Sequence, residues 1–138
     1  PLVLCQSFAA ALADGHEGVI VNLLDQRVAN LTPHFLSYTV SKSALWTLTQ
    51  TLALALAPRI RVMAIGPGPT LPSARQDEAA FAKQVAATPL ARAVSIDEIC
   101  RALRFILDAP SLTGQMIAVD SGQHLGWRNA PTSDADLE

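Results

Sequence analysis

Residues 2–13 (LVLCQSFAAALA) are apolar at almost every position, which predicts a helix with little polar face, stopped near Asp14-Gly15. Residues 18–25 (GVIVNLLD) form a short continuous run rich in β-branched side chains. Such a run predicts a strand buried on both faces, as in parallel sheets. Residues 26–33, ending in Pro33, predict a loop. From residue 35 or 37 to 57, Ala and Leu recur at helical spacing until Pro58, which predicts a long helix. Residues 59–65 (RIRVMAI) predict a second strand. Gly66-Pro-Gly-Pro69 predicts a rigid loop, excluded from helix and from central strand by its prolines. A polar, Ala-rich helix is expected over 73–87. A second is expected over 95–107, opened by the Ser95-Ile-Asp-Glu98 capping box. Residues 115–120 (QMIAVD) predict a third strand, and 128–138 a solvated tail. The order α-β-α-β-α-α-β predicts an α/β fold, with a parallel sheet, right-handed crossovers and helices on both faces. Three strands are few for that architecture, and a sheet edge is expected to lie open.

Composition narrows the function. The chain has 138 residues, half of them hydrophobic, with 16% charged and 5% aromatic, and a formal net charge of −2. That is enough apolar surface for one domain. The balance of charge excludes the basic footprint of a nucleic-acid protein, and the hydrophobicity excludes a disordered tail. Cys5 and Cys100 stand far apart with no partner at ligand spacing, so neither a disulfide scaffold nor a zinc module is expected. Both are expected to be small core residues in a reducing compartment. No apolar run reaches the ~18 residues needed to span a bilayer, so no membrane partner is expected and a cytoplasmic location is.

Candidate chemistry centres on Tyr38-Thr-Val-Ser-Lys42. The chain's only Tyr precedes Lys42 by four residues at a helix start, so phenol and ammonium share one face. A nearby ammonium favours the phenolate, and the expectation is a lowered Tyr38 pKa that suits acid catalysis near neutral pH. Taken alone, the spacing equally fits a chance pair on a solvated helix.

Its context carries more. A strand ends in Asp25, thirteen residues before Tyr38. The next strand runs into Gly66-Pro-Gly, and Leu112-Thr-Gly-Gln-Met-Ile-Ala-Val-Asp-Ser-Gly122 follows near the end. Over residues 1 to about 127 this set resembles the short-chain dehydrogenase/reductase family, with Ser121 where that family usually has Gly. The resemblance implies a doubly wound Rossmann-type parallel sheet, of which the last three strands are present. The Gly-rich turn that cradles the pyrophosphate and the family's Asn-Ala-Gly segment are absent. Residues 1–127 are therefore expected to be the C-terminal part of one such domain, a fragment beginning within a helix, with 128–138 as a tail. Asp25 stands where most members have Ser. That departure is similar to the pteridine and dihydromonapterin/dihydrofolate reductases of the family.

The resemblance implies hydride transfer from NADPH, with NAD not excluded, to a C=N or C=O. Tyr38 would deliver the proton. Lys42 would hold the nicotinamide ribose, and Asp25 would orient Tyr38 and the substrate. Pro67, Gly68, Pro69 and Thr70 would flank the nicotinamide. Leu71 would touch substrate at the start of a lid over 71–85. The competing view of Asp25 is an Asx-turn cap, and of the prolines a rigid loop. His16 is expected to be solvated and His34 to lie in a loop or interface. His124 and Trp127 would reach an active site or pack at the surface, and Met63 and Met116 would be core. The family also implies a homotetramer paired through the helices 2–13 and 37–57. Two other functions stay open: a reductase of another carbonyl (3-oxoacyl or sugar/alcohol type), and a non-catalytic scaffold fragment.

Overall fold

The computed structural model describes residues 1–32, 35–73 and 76–126. Helix α1 spans Leu2–Ala11, strand β1 Gly18–Leu23, helix α2 Leu36–Leu56 and strand β2 Ile60–Pro67. Helix α3 spans Glu78–Ala86, helix α4 Ile96–Asp108 and strand β3 Met116–Val119. Short 3-10 turns occupy Gln26–Val28 and Gln123–Leu125. The strands form one parallel sheet in the order β1-β2-β3, so β2 is central. The expected tail over 128–138 lies outside the described residues.

Side-chain alternation along β2 divides the core. Ile60 and Val62 pack with Cys5 of α1 and with Leu52 and Ala53 of α2. Met63 and Ile65, of opposite parity, pack with Ile106 of α4. Both clusters centre on residues almost fully withdrawn from water, which is why the β2 sequence is apolar at nearly every position. Helices therefore cover both faces, as the pattern predicts. The expectation of uniformly right-handed crossovers is overturned. With strands laid down in one direction, α2 and α4 on opposite faces require crossovers of opposite hand. The handedness rule holds where a strand feeds directly into its helix. The connection leaving β2 is long, running through residues 68–95 before α4 begins, and there that constraint is relaxed.

Gly66 and Pro67 also correct an expectation. Both belong to β2, paired with Ala118 and Val119. Proline is tolerated because it is the last strand residue, and the next N–H, that of Gly68, donates to Val119 O at 3.0 Å. Two helices begin or end within the expected spans: α1 stops at Ala11, with Leu12 already extended, and α3 starts at Glu78, where Asp77 accepts from Ala80 N. The capping box of α4 is present, with Ser95 Oγ accepting from Glu98 N and the Glu98 carboxylate accepting from Ser95 N. The expected open edge is that of β1. A cleft of about 470 Å³ runs between it and α1, lined by Leu4, Phe8, Val21, Leu23 and Leu45 among others. Both cysteines are free; Cys5 is buried and Cys100 half-buried. Met63 is core, and Met116 packs its sulfur where a Gly66 Cβ would lie.

Candidate active site

Three parallel strands end on the same side of the sheet, the edge at which open α/β sheets place their ligands. The chain leaving β1 reaches Asp25, which opens the 3-10 turn. Its Oδ1 accepts from the backbone N–H of Arg27 at 2.8 Å. Its other oxygen, Oδ2, accepts from the phenol of Tyr38 at 2.8 Å. The two accounts of Asp25, turn cap and partner of Tyr38, are thus both met, one by each oxygen. Tyr38 sits in the first turn of α2, 42% exposed.

Lys42 lies one turn further along α2. Its Nζ donates to Leu23 O, at the end of β1, at 2.9 Å and stands 5.6 Å from the Tyr38 ring centroid. Phenol and ammonium are neighbours, as their spacing predicts. The expected lowering of the phenol pKa is overturned, however. Burial, then the hydrogen bond to Asp25 and its negative charge, push Tyr38 up from 10.0 to about 12, with the Arg27 guanidinium pulling the other way. The direction follows first from burial of the phenol and then from the carboxylate that its oxygen faces. Tyr38 is held as a protonated donor.

After β2, Gly68 passes so close to β3 that a Cβ there would stand 2.6 Å from the Asp120 backbone. Only glycine fits this crossing. Pro69 is buried and its carbonyl accepts from Val94 N at 2.8 Å, while Thr70 Oγ1 donates to Gly68 O at 3.0 Å. Pro67, Gly68, Pro69 and Thr70 thus form a fixed shelf beside the strand ends. Leu71 is exposed at its far end.

Asp120 is a buried carboxylate at the end of β3. It accepts from the backbone N–H groups of Gly122 and His124 at 3.0 and 2.6 Å, and its Oδ2 lies 2.9 Å from His124 Nδ1. His124 is thereby pinned to its own loop. Ser121 adopts φ 56 and donates to Arg92 O at 2.8 Å. A positive φ at that position accounts for the glycine usual in the resembled motif. His16 is exposed. His34 and Trp127 lie outside the described residues. Among the described residues, no cluster of His, Cys, Asp and Glu could hold a metal ion.

Arg27 belongs to the site and was not singled out from sequence. The cue was the Asp25-Gln-Arg27 run itself, an Asx-turn that returns the third residue to the carboxylate.

Residues 1–124 match the family model described as enoyl-(acyl carrier protein) reductase. A short-chain dehydrogenase/reductase homolog of Bacillus subtilis, YusR, is 35% identical over 112 residues, covering 79% of this chain and 85% of that protein. The chain belongs to the short-chain dehydrogenase/reductase family. A dihydromonapterin reductase of Citrobacter koseri is 31% identical, over 80% of this chain and 47% of that protein. The crystal structure of FolM alternative dihydrofolate reductase 1 from Brucella suis, in complex with NADP, superposes with a TM-score of 0.91. It is 53% identical, and the match covers 95% of this chain and 53% of that one. The chain thus spans most of the B. subtilis homolog and about half the length of the other two family members.

Proposed function

We propose that this chain carries the proton-delivering and nicotinamide-facing portion of an NADP-dependent pterin reductase. The observation that carries the reading is the carboxylate of Asp25 bound to Tyr38 at the end of β1. A carboxylate accepts hydrogen bonds and, ionised, donates none. It therefore suits a substrate edge rich in N–H donors, which a pterin has and a simple ketone lacks. Support comes from the 53% identity to the Brucella suis FolM and from the dihydromonapterin reductases among the relatives.

The residues present fit the nicotinamide end of NADP. Lys42 has used one of its three N–H donors on Leu23 O, leaving two for ribose hydroxyls. The shelf of Pro67 to Thr70 is rigid and offers backbone groups to a carboxamide. The bound cofactor supplies a hydride. Tyr38 supplies the proton, Asp25 fixes the phenol and the substrate edge, and Leu71 borders the substrate. A pyrophosphate-cradling Gly-rich turn has no counterpart in the 138 residues. Cofactor binding therefore draws on polypeptide outside residues 1–127, which we place as the C-terminal part of one Rossmann-type domain.

The test is NADPH oxidation by the whole enzyme, this chain together with its phosphate-binding portion, against dihydropterins, dihydrofolate, 3-oxoacyl thioesters and sugars. We expect kcat/KM for a dihydropterin at least tenfold above every other class. Preference for a thioester or a sugar would replace the pterin reading with that carbonyl class.

We further propose a homotetramer in the cytoplasm. The location is supported by two free thiols, as a reducing compartment keeps them, and no described helix is long and apolar enough to cross a membrane. The assembly is supported by apolar residues left in solvent on two helices: Val3 and Leu4 on α1, 71% and 75% exposed, and Val40 and Leu54 on α2, 67% and 83% exposed. Such patches mark association surfaces, and a twofold axis pairs like with like. Light scattering on the whole enzyme should give four times the subunit mass at micromolar concentration. A monomeric mass would show these faces covered within one subunit.

A further inference from the structure

Arg27 touches both members of the Tyr38–Asp25 pair. Its backbone N–H donates to Asp25 Oδ1 at 2.8 Å, which leaves Oδ2 for the phenol. Its guanidinium lies 5.8 Å from the Tyr38 ring centroid and 5.5 Å from that of Phe35, while Nη1 donates to Thr32 Oγ1 at 3.0 Å. Phe35 adopts φ 56, a left-handed conformation that a bulky side chain rarely takes, and in it the ring stays against the guanidinium. Three charged groups face Tyr38: Asp25 on the loop, Arg27 on the 3-10 turn and Lys42 on α2. Lys42 is fixed on a strand carbonyl.

We infer that Arg27 is the positioning residue of the pair, its backbone orienting the carboxylate and its guanidinium holding the Tyr38 ring and favouring release of the phenol proton. Cations over an aromatic face are attracted by the ring quadrupole, and the attraction grows as the ring becomes a phenolate. The guanidinium in fact draws the phenol down against burial and Asp25. The inference rests on the reading of Tyr38 and Asp25 as the proton-delivering pair.

The test needs no substrate. Difluorotyrosine incorporated in the whole enzyme brings phenol titration into the range where proteins stay folded, and fluorine NMR follows it. The Tyr38 signal is assigned by its loss in Tyr38→Phe. A cation about 6 Å away in a half-exposed site should be worth ~0.5–1 unit. Arg27→Gln should therefore raise the midpoint by that amount, and Arg27→Lys should recover part of it. Circular dichroism confirms that each variant is folded. If Arg27→Gln destabilises the loop, Arg27→Lys decides: with the charge kept and the planar guanidinium lost, its midpoint should still lie above wild type. An unchanged midpoint in Arg27→Gln, or in Arg27→Lys where Arg27→Gln does not fold, overturns the inference. Asp25→Asn should lower the midpoint. If it does not, the pair itself is absent and the inference falls with it, whatever the pterin assay shows.

Discussion

Replacing Tyr38 with Phe should lower kcat for pterin reduction by about 10²–10⁴-fold, the range of a lost general acid, while NADP binding stays within a few-fold of wild type. The ring and its contacts with Arg27 and Lys42 survive the change; only the oxygen bound to Asp25 is lost. Binding by fluorescence and turnover by NADPH oxidation measure the two effects separately. The pH dependence adds a second check. A phenol raised from 10.0 to about 12 stays protonated across the working range, so no loss of activity from Tyr38 ionisation should occur near neutral pH. The sign for stability is the same. The folded-state value lies above the unfolded one, so the contribution is present in full below about 10 and is lost as pH rises through about 12. A Tyr38-dependent alkaline limb near neutral pH, or turnover of Tyr38→Phe within a few-fold of wild type, would contradict this assignment.

Asp25→Ser should cost pterin reduction more than it costs reduction of an activated ketone. A hydrogen bond to a charged group contributes about 1.5–3 kcal/mol, so kcat/KM for the pterin should fall roughly 10- to 100-fold beyond any loss shared by both substrates. Serine keeps a hydroxyl partner for Tyr38 and a short side chain for the 3-10 turn. What it removes is the acceptor-only group. Equal losses on the two substrates would make Asp25 a general support of Tyr38 and would detach the site from pterins.

The fold was readable because its elements are marked locally. β2 is a short, near-continuous apolar run, Ala and Leu recur along α2 until Pro58, and the Ser95–Glu98 box marks the start of α4. The errors fall where local rules meet tertiary context. Pro67 read as a breaker, yet a strand's last residue needs no N–H when Gly68 supplies the next donor. The hand of a crossover is invisible to periodicity, since it depends on which face the far helix α4 covers. At the site, spacing brought Tyr38 and Lys42 together but not the sign of the phenol shift. That sign is decided by burial of the phenol and by Asp25, thirteen residues away. Arg27 was missed for the same reason. In sequence it is one polar residue in a loop, and only the turn at Asp25 carries it to the aromatic rings.

In the ternary complex the carboxylate of Asp25, anchored on Arg27 and Tyr38, should be the group that meets the pterin. A crystal structure of the whole enzyme with NADP and a dihydropterin is the deciding measurement. The Asp25 carboxylate should stand within hydrogen-bond distance of the pterin N–H donors, with the Tyr38 phenol beside it and the Lys42 ammonium on the nicotinamide ribose. A pterin bound with its N–H edge away from Asp25 would contradict it.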